Sequence, residues 1–146
     1  MIGVIISGHG GFASGLTKAL NQIIGEQPQF AAIDFPEGMT TAQLDTAMRK
    51  AIEEIDSGEG IVFMTDLLGG TPFRTASLLS QQMANIEVVT GTNLQMAAEM
   101  LLERDELNVI EFRQEAVACG HRGITSLYEQ MEEKQREEAT EVDDGI

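Results

Sequence analysis

Short apolar runs recur along the chain about every thirty residues, at positions 2–6, 30–35, 60–65 and 86–90. Each is bounded by polar or glycine-rich sequence and is too short for a helix, so each predicts a buried strand. Between the runs, apolar positions take helical spacing. Leu16, Leu20, Ile23 and Ile24 fall on one face of a helix ending near Gly25. A second stripe is Leu44, Ala47, Met48, Ala51, Ile52 and Ile55, with Thr40 or Thr41 as its cap. Pro72 sits where a first helical turn accepts proline, and Phe73, Ala76, Leu79 and Met83 follow it. Met96, Ala97, Met100 and Leu101 mark a fourth helix, and positions 109–119 a fifth.

Strands alternating with helices predict an α/β fold. The expected architecture is a single-domain, doubly wound sheet of four parallel strands, in the common order 2-1-3-4, with both faces covered by helices. Residues 123–128 are ambiguous between a short strand and a helix. The domain is expected to span 1–128. The polar stretch 129–146 is expected to be a disordered acidic tail, with eight acids against Lys134 and Arg136.

Composition narrows the class. A chain of 146 residues can bury one full core. With no Trp, one Tyr and eight Met, that core must be aliphatic and methionine-rich. The net charge of -15 argues against nucleic acid and against anionic lipid as partners. One cysteine, Cys119, excludes an internal disulfide and fits a reducing, cytoplasmic setting. It reads as a small buried hydrophobe. The first residues lack the charged and small-residue flanks of a signal peptide, and no apolar run is long enough to span a membrane.

The chemistry collects at two glycine-rich turns. His9 stands in Ser7-Gly8-His9-Gly10-Gly11, where the first strand hands over to a helix. Asp66 opens Asp66-Leu67-Leu68-Gly69-Gly70-Thr71-Pro72 after the third strand. In a sheet ordered 2-1-3-4 these turns face each other across the crevice where ligands bind. A carboxylate holding imidazole Nδ1–H fixes the tautomer and leaves Nε2 free to attack an electrophile. Two helix N-termini, after Gly10-Gly11 and Gly69-Gly70, suit a bound phosphoryl group, and the Thr71 hydroxyl can add a hydrogen bond. Each residue alone has a blander reading: His9 as an exposed loop residue, Asp66 as a turn residue, Thr71 as a helix cap. Convergence on one crevice favours function. His121, beside a helix end, reads as a surface or capping histidine.

A nucleotide-binding alternative rests on Gly8, Gly10 and Ala13 as G-x-G-x-x-[GA], with Asp34 ending strand two as a ribose-binding acid. The chain leaves little room for a second mononucleotide half, and the glycines at 69 and 70 then go unexplained. There is no P-loop motif and no C-x-x-C pair, so neither a metal nor a cofactor is expected.

These stretches, with Ile33-Asp34-Phe35, Val89-Thr90-Gly91-Thr92-Asn93-Leu94 and Gly120-His121-Arg122-Gly123-Ile124, resemble the IIA domain of the mannose-type sugar phosphotransferase system. The resemblance covers about residues 1–128. It implies that His9 is phosphorylated on Nε2, that Asp66 orients it, and that Thr71 lies near the phosphoryl group. It implies a histidine-containing phosphocarrier protein as donor and a cognate IIB protein as acceptor. It also implies a homodimer in which a C-terminal strand, here about 123–128, joins the partner's sheet. Leu68 departs from the Trp that family members often carry before the paired glycines. The chain lacks an Ala/Pro-rich linker to a IIB domain, which points to a free-standing IIA protein. The similar short form serves N-acetylgalactosamine or galactosamine systems. The phosphoryl-transfer subunit of dihydroxyacetone kinase is a second relative within the family.

Overall fold

The computed structural model describes residues 1–144. The predicted alternation is present: β1 (Gly3–His9), α1 (Phe12–Ile24), β2 (Phe30–Phe35), α2 (Thr41–Ile55), β3 (Ile61–Thr65), α3 (Thr71–Gln82), β4 (Ile86–Val89), α4 (Leu94–Glu103) and α5 (Val109–Arg122). A single 3-10 turn, Arg104–Glu106, separates α4 from α5. A sixth helix, α6, spans Leu127–Asp144. The sheet is four-stranded in the order β2-β1-β3-β4, and all pairings are parallel.

Alternating side chains of the central strands feed two cores. Val4, Ile6, Val62 and Met64 pack beneath α1, α4 and α5 with Leu20, Met100 and Phe112. Ile5, Ile61 and Phe63 pack beneath α2 and α3 with Leu44, Met48, Ile52 and Leu79. The core is aliphatic and methionine-rich, as the composition requires. Thr40 caps α2 in a reciprocal box with Gln43, each side chain bonding the other's backbone N–H.

At the N-terminal ends of the strands, the buried Arg104 guanidinium donates to the carbonyls of Ile2, Pro28 and Gln29. That leaves the opposite, C-terminal ends of the strands as the open face of the sheet.

Two sequence expectations need correction. β1 runs through His9, so the imidazole stands on the last residue of a strand and not on the turn after it. Pairing with Phe35 of β2 carries the strand that far. In the single chain Gly123 ends α5 and α6 starts at Leu127, so 123–128 carries no strand of its own; the strand expected there is one that joins a partner's sheet. Nor is the described part of the tail disordered. It is rich in Glu, Gln, Lys and Arg, which are strong helix formers. Ser126 Oγ accepts from the Glu129 N–H at its start, and Tyr128 donates to Glu132 one turn on. Polar residues that cannot build a core can still make a solvated helix. Residues 145 and 146 of the expected tail lie outside the described residues.

Candidate functional site

His9 and Asp66 meet at the C-terminal ends of β1 and β3, the central strands. Asp66 Oδ2 accepts two hydrogen bonds from His9, one from its backbone N–H and one from Nδ1, both 2.9 Å long. Burial works against the charged form of Asp66. The two hydrogen bonds from His9 and the imidazole's charge outweigh it, so the carboxyl is held below its usual range. Asp66 is therefore an ionised acceptor, which places the proton on Nδ1 and the lone pair on Nε2. The His9 side chain is about half exposed (46%) and that of Asp66 largely covered (14%), so the carboxylate is sheltered while the nitrogen stays accessible.

The free edge of the imidazole faces the start of α3. A Cβ on Gly70 would lie 2.7 Å from His9 Cε1 and 3.5 Å from Nε2. Gly70 is the N-cap of α3, and Thr71 is its first residue. Thr71 is thus not the cap, and its side chain is not spent on that task. Gly8 is required for a similar reason: a Cβ there would come within 2.9 Å of the Asp66 carboxyl carbon and closer still to Phe12. We expect Gly70→Ala to fold normally, since its backbone is extended at φ -71° and ψ 166°. The added methyl must displace the imidazole, and changed modification of His9 by diethyl pyrocarbonate, with His121 modified as in wild type and the melting temperature unchanged, would check this.

The other candidate glycines act mainly through backbone shape. Gly10 and Gly69 hold left-handed conformations, at φ +56° and +77°. The Gly10 N–H is committed to the Phe35 carbonyl (2.8 Å) and the Gly70 N–H to the Leu67 carbonyl (3.0 Å). These two N–H groups are not free donors, contrary to a simple reading of the motifs. Gly11 is the N-cap of α1 but supplies no side-chain cap. Asp34 supplies one instead: its Oδ1 accepts from the Ser14 N–H in the first turn of α1 (2.9 Å). The acid that the nucleotide reading assigns to a ribose already has this partner.

Sequence reasoning missed two neighbours. The Phe35 ring packs edge-on against His9, with centroids 5.8 Å apart and planes at 77°. Arg74 donates Nε–H to the Gly69 carbonyl (2.6 Å) and so fastens the second turn. Phe35 had a strand-end position as its signal. Arg74 had only its offset of five residues from Gly69. Leu67 and Leu68 stand exposed on the rim.

Other candidates lie elsewhere. Asn93 caps α4 through Met96 and donates to the Gly120 carbonyl, so it serves as a structural tie. His121 is exposed in the last turn of α5. Cys119 is fully buried, and burial together with its hydrogen bond to Glu99 pushes its thiol up to about 11. It is no nucleophile at neutral pH. No helix among the described residues is long and apolar enough to cross a membrane.

A family model described as the PTS system fructose IIA component matches residues 3–117. The chain belongs to the mannose-type IIA family of the sugar phosphotransferase system. This IIA chain is 35% identical over 132 residues to a candidate phosphotransferase enzyme IIA component, YadI, of Escherichia coli (strain K12), covering 90% of each. It is 31% identical to the mannose-specific EIIAB component of the same strain, over 91% of this chain but 42% of that longer protein. Among solved structures, the EIIA component from Streptococcus agalactiae superposes with a TM-score of 0.82 at 33% identity, covering 88% of this chain and 98% of that one. None of these names carries the dihydroxyacetone kinase alternative. IIA proteins of this family are phosphoryl carriers of sugar uptake, and they work with phosphocarrier and IIB proteins.

Proposed function

We propose that His9 is the phosphorylated residue of this IIA component. It takes the group from the histidine-containing phosphocarrier protein and gives it to a cognate IIB protein in the cytoplasm. The observation that carries this reading is the double acceptance by Asp66 Oδ2, which fixes the tautomer with Nε2 free beside the start of α3. Nε2 attacks phosphorus as the bond from phosphorus to the donor's imidazole nitrogen breaks, and the electron pair of that bond returns to the donor. Transfer onward reverses the roles, with the IIB nucleophile attacking and His9 leaving. Splitting the transfer into two displacements makes each a matter of positioning and charge. Thr71 and the first turn of α3, with Gly10, Gly11, Gly69 and Gly70 shaping the crevice, form the phosphoryl site in this reading. The exposed Leu67 and Leu68 offer an apolar rim to the partner proteins.

The test is intact mass after incubation with phosphoenolpyruvate and the two general phosphotransferase proteins. A gain of one acid-labile phosphoryl group supports the reading; no gain, with active control proteins, overturns it. The relatives' names differ in sugar, with mannose, fructose and sorbose among them. What these share is a hexose, and growth of a deletion strain on these sugars and on N-acetylgalactosamine separates the outcomes.

We also propose a homodimer. In the described residues β4 pairs only with β3. Beside its free edge runs a groove of about 600 Å³ lined by Phe73, Val88, Val117 and Arg113. Ile124, Leu127 and Tyr128 of the same chain stand exposed (70% or more), a state that costs apolar contact with water. Strand exchange would place this segment of a second copy along β4. Light scattering on the purified protein should give twice the chain mass, and Leu127→Asp should lower it toward the single-chain mass.

A further inference from the structure

The link between β1 and α1 is two residues long, and both are glycine (Gly10 and Gly11). Glycine has the greatest backbone freedom, so such a link does not hold its own shape. Nor can the helix it enters cap itself, because the N-cap residue is Gly11. Among the described residues, the hydrogen bonds that reach this link and the first turn of α1 from outside come from the end of β2. Asp34 Oδ1 accepts from Ser14 N–H, the Phe35 carbonyl accepts from Gly10 N–H, and the Phe35 ring packs on the imidazole. Asp34 lies opposite Gly8 in register, one pair before His9 and Phe35.

From this we infer that Asp34 is a positioning residue for the phosphoryl acceptor: a carboxylate from a neighbouring strand caps α1 and thereby fixes the His9 end of β1. The inference rests on the reading of His9 as that acceptor. It has an electrostatic consequence as well. A carboxylate on the first turn of α1 offsets the positive end of that helix, so the phosphoryl group relies on the start of α3, the end that the imidazole faces. The two helix starts, equivalent in the sequence, therefore have different tasks. One is spent on holding the nucleophile and the other is left for the transferred group.

The experiment compares wild type, Asp34→Ala and Asp34→Asn as full chains, using the phosphorylated donor protein in single-turnover transfer. Asparagine caps a helix about as well as aspartate, whereas alanine does not. Asp34→Ala should lower the maximal transfer rate about tenfold, as expected for a displaced reacting group, with half-saturating donor concentration unchanged. Asp34→Asn should restore the rate to within about twofold of wild type. Amide exchange at Ser14 and Gly10 should quicken in Asp34→Ala alone. An unchanged rate in folded Asp34→Ala, or an equal loss in both variants, overturns the positioning role while leaving the acceptor in place. A raised half-saturation with an unchanged maximal rate also overturns it, because it makes Asp34 a docking contact. A wild type that gains no phosphoryl group overturns the acceptor reading and this inference together.

Discussion

His9→Ala should gain no phosphoryl group under conditions where wild type gains one and His121→Ala gains one as fully. The expectation follows from accessibility and electronics together. Two imidazoles are present in the chain, and both are exposed at the surface. Among the described residues, only His9 has a carboxylate that pins its tautomer and a helix start facing its other nitrogen. The buried thiol of Cys119 offers no substitute, since it is protonated at neutral pH. The fold should survive the change. His9 is the last residue of β1, its side chain is about half exposed, and its backbone N–H still reaches Asp66 in the variant. The lost side-chain hydrogen bond is worth about 1 kcal/mol once the half-exposed imidazole is discounted for solvent screening. For a domain of this size that lowers the melting temperature by about 3 °C. Phosphorylation retained in His9→Ala would move the acceptor elsewhere and dissolve the site. Loss of phosphorylation with a collapsed melting transition would point to misfolding, and the unchanged far-ultraviolet dichroism expected here excludes that.

The parts of this molecule legible in its sequence are those set by periodicity. The four apolar runs fall on the four strands, and the order 2-1-3-4 brings His9 and Asp66 together from 57 residues apart. What escaped were features decided by one side chain reaching another element. The cap on α1 comes from β2, so nothing within Gly10-Gly11-Phe12 announces it. An acid at the end of strand two suits a ribose ligand and a cap on α1 equally well in sequence, because both arrangements share that position. The committed N–H groups of Gly10 and Gly70 likewise depend on carbonyls that only the folded turns bring near. At the C-terminus the failure was one of class. A segment with two bases and eight acids looks unable to bury anything, and its described side chains up to position 141 are indeed exposed. Helix formation needs only propensity and local pairs, which the segment has.

Substitution of Asp66 separates the two things a carboxylate does for an imidazole, because alanine and asparagine remove different parts. In Asp66→Ala both acceptor contacts vanish, so neither tautomer nor ring orientation is held, and the transfer rate should fall about 10³-fold. Asparagine is ordinarily ambiguous beside histidine, since its NH₂ could face Nδ1 and enforce the wrong tautomer. Here the backbone N–H of His9 resolves the ambiguity. It points at the same oxygen as Nδ1, so an NH₂ in that place would meet a second donor. The amide oxygen must take the position, and the tautomer is kept. What asparagine loses is charge: the anion that stabilises positive imidazole as the phosphoryl bond forms and breaks. That loss should cost about 10- to 100-fold, smaller than alanine's. The NH₂ is then left where Asp66 Oδ1 already lies buried without a partner, so Asp66→Asn should also be less stable than wild type. This difference has a pH signature of definite sign. The Asp66 carboxyl is held below 3.8 in the folded chain, so its charge-dependent stabilisation is complete above that value and is lost as pH falls through the lowered one. The gap between the urea midpoints of wild type and Asp66→Asn should therefore be widest at neutral pH and narrow below about pH 4 to the part owed to the unpartnered NH₂. Equal transfer rates for alanine and asparagine would mean that charge, and not tautomer, is all that Asp66 supplies. An asparagine variant slower than alanine would mean that the amide has turned its NH₂ to the ring despite the backbone donor.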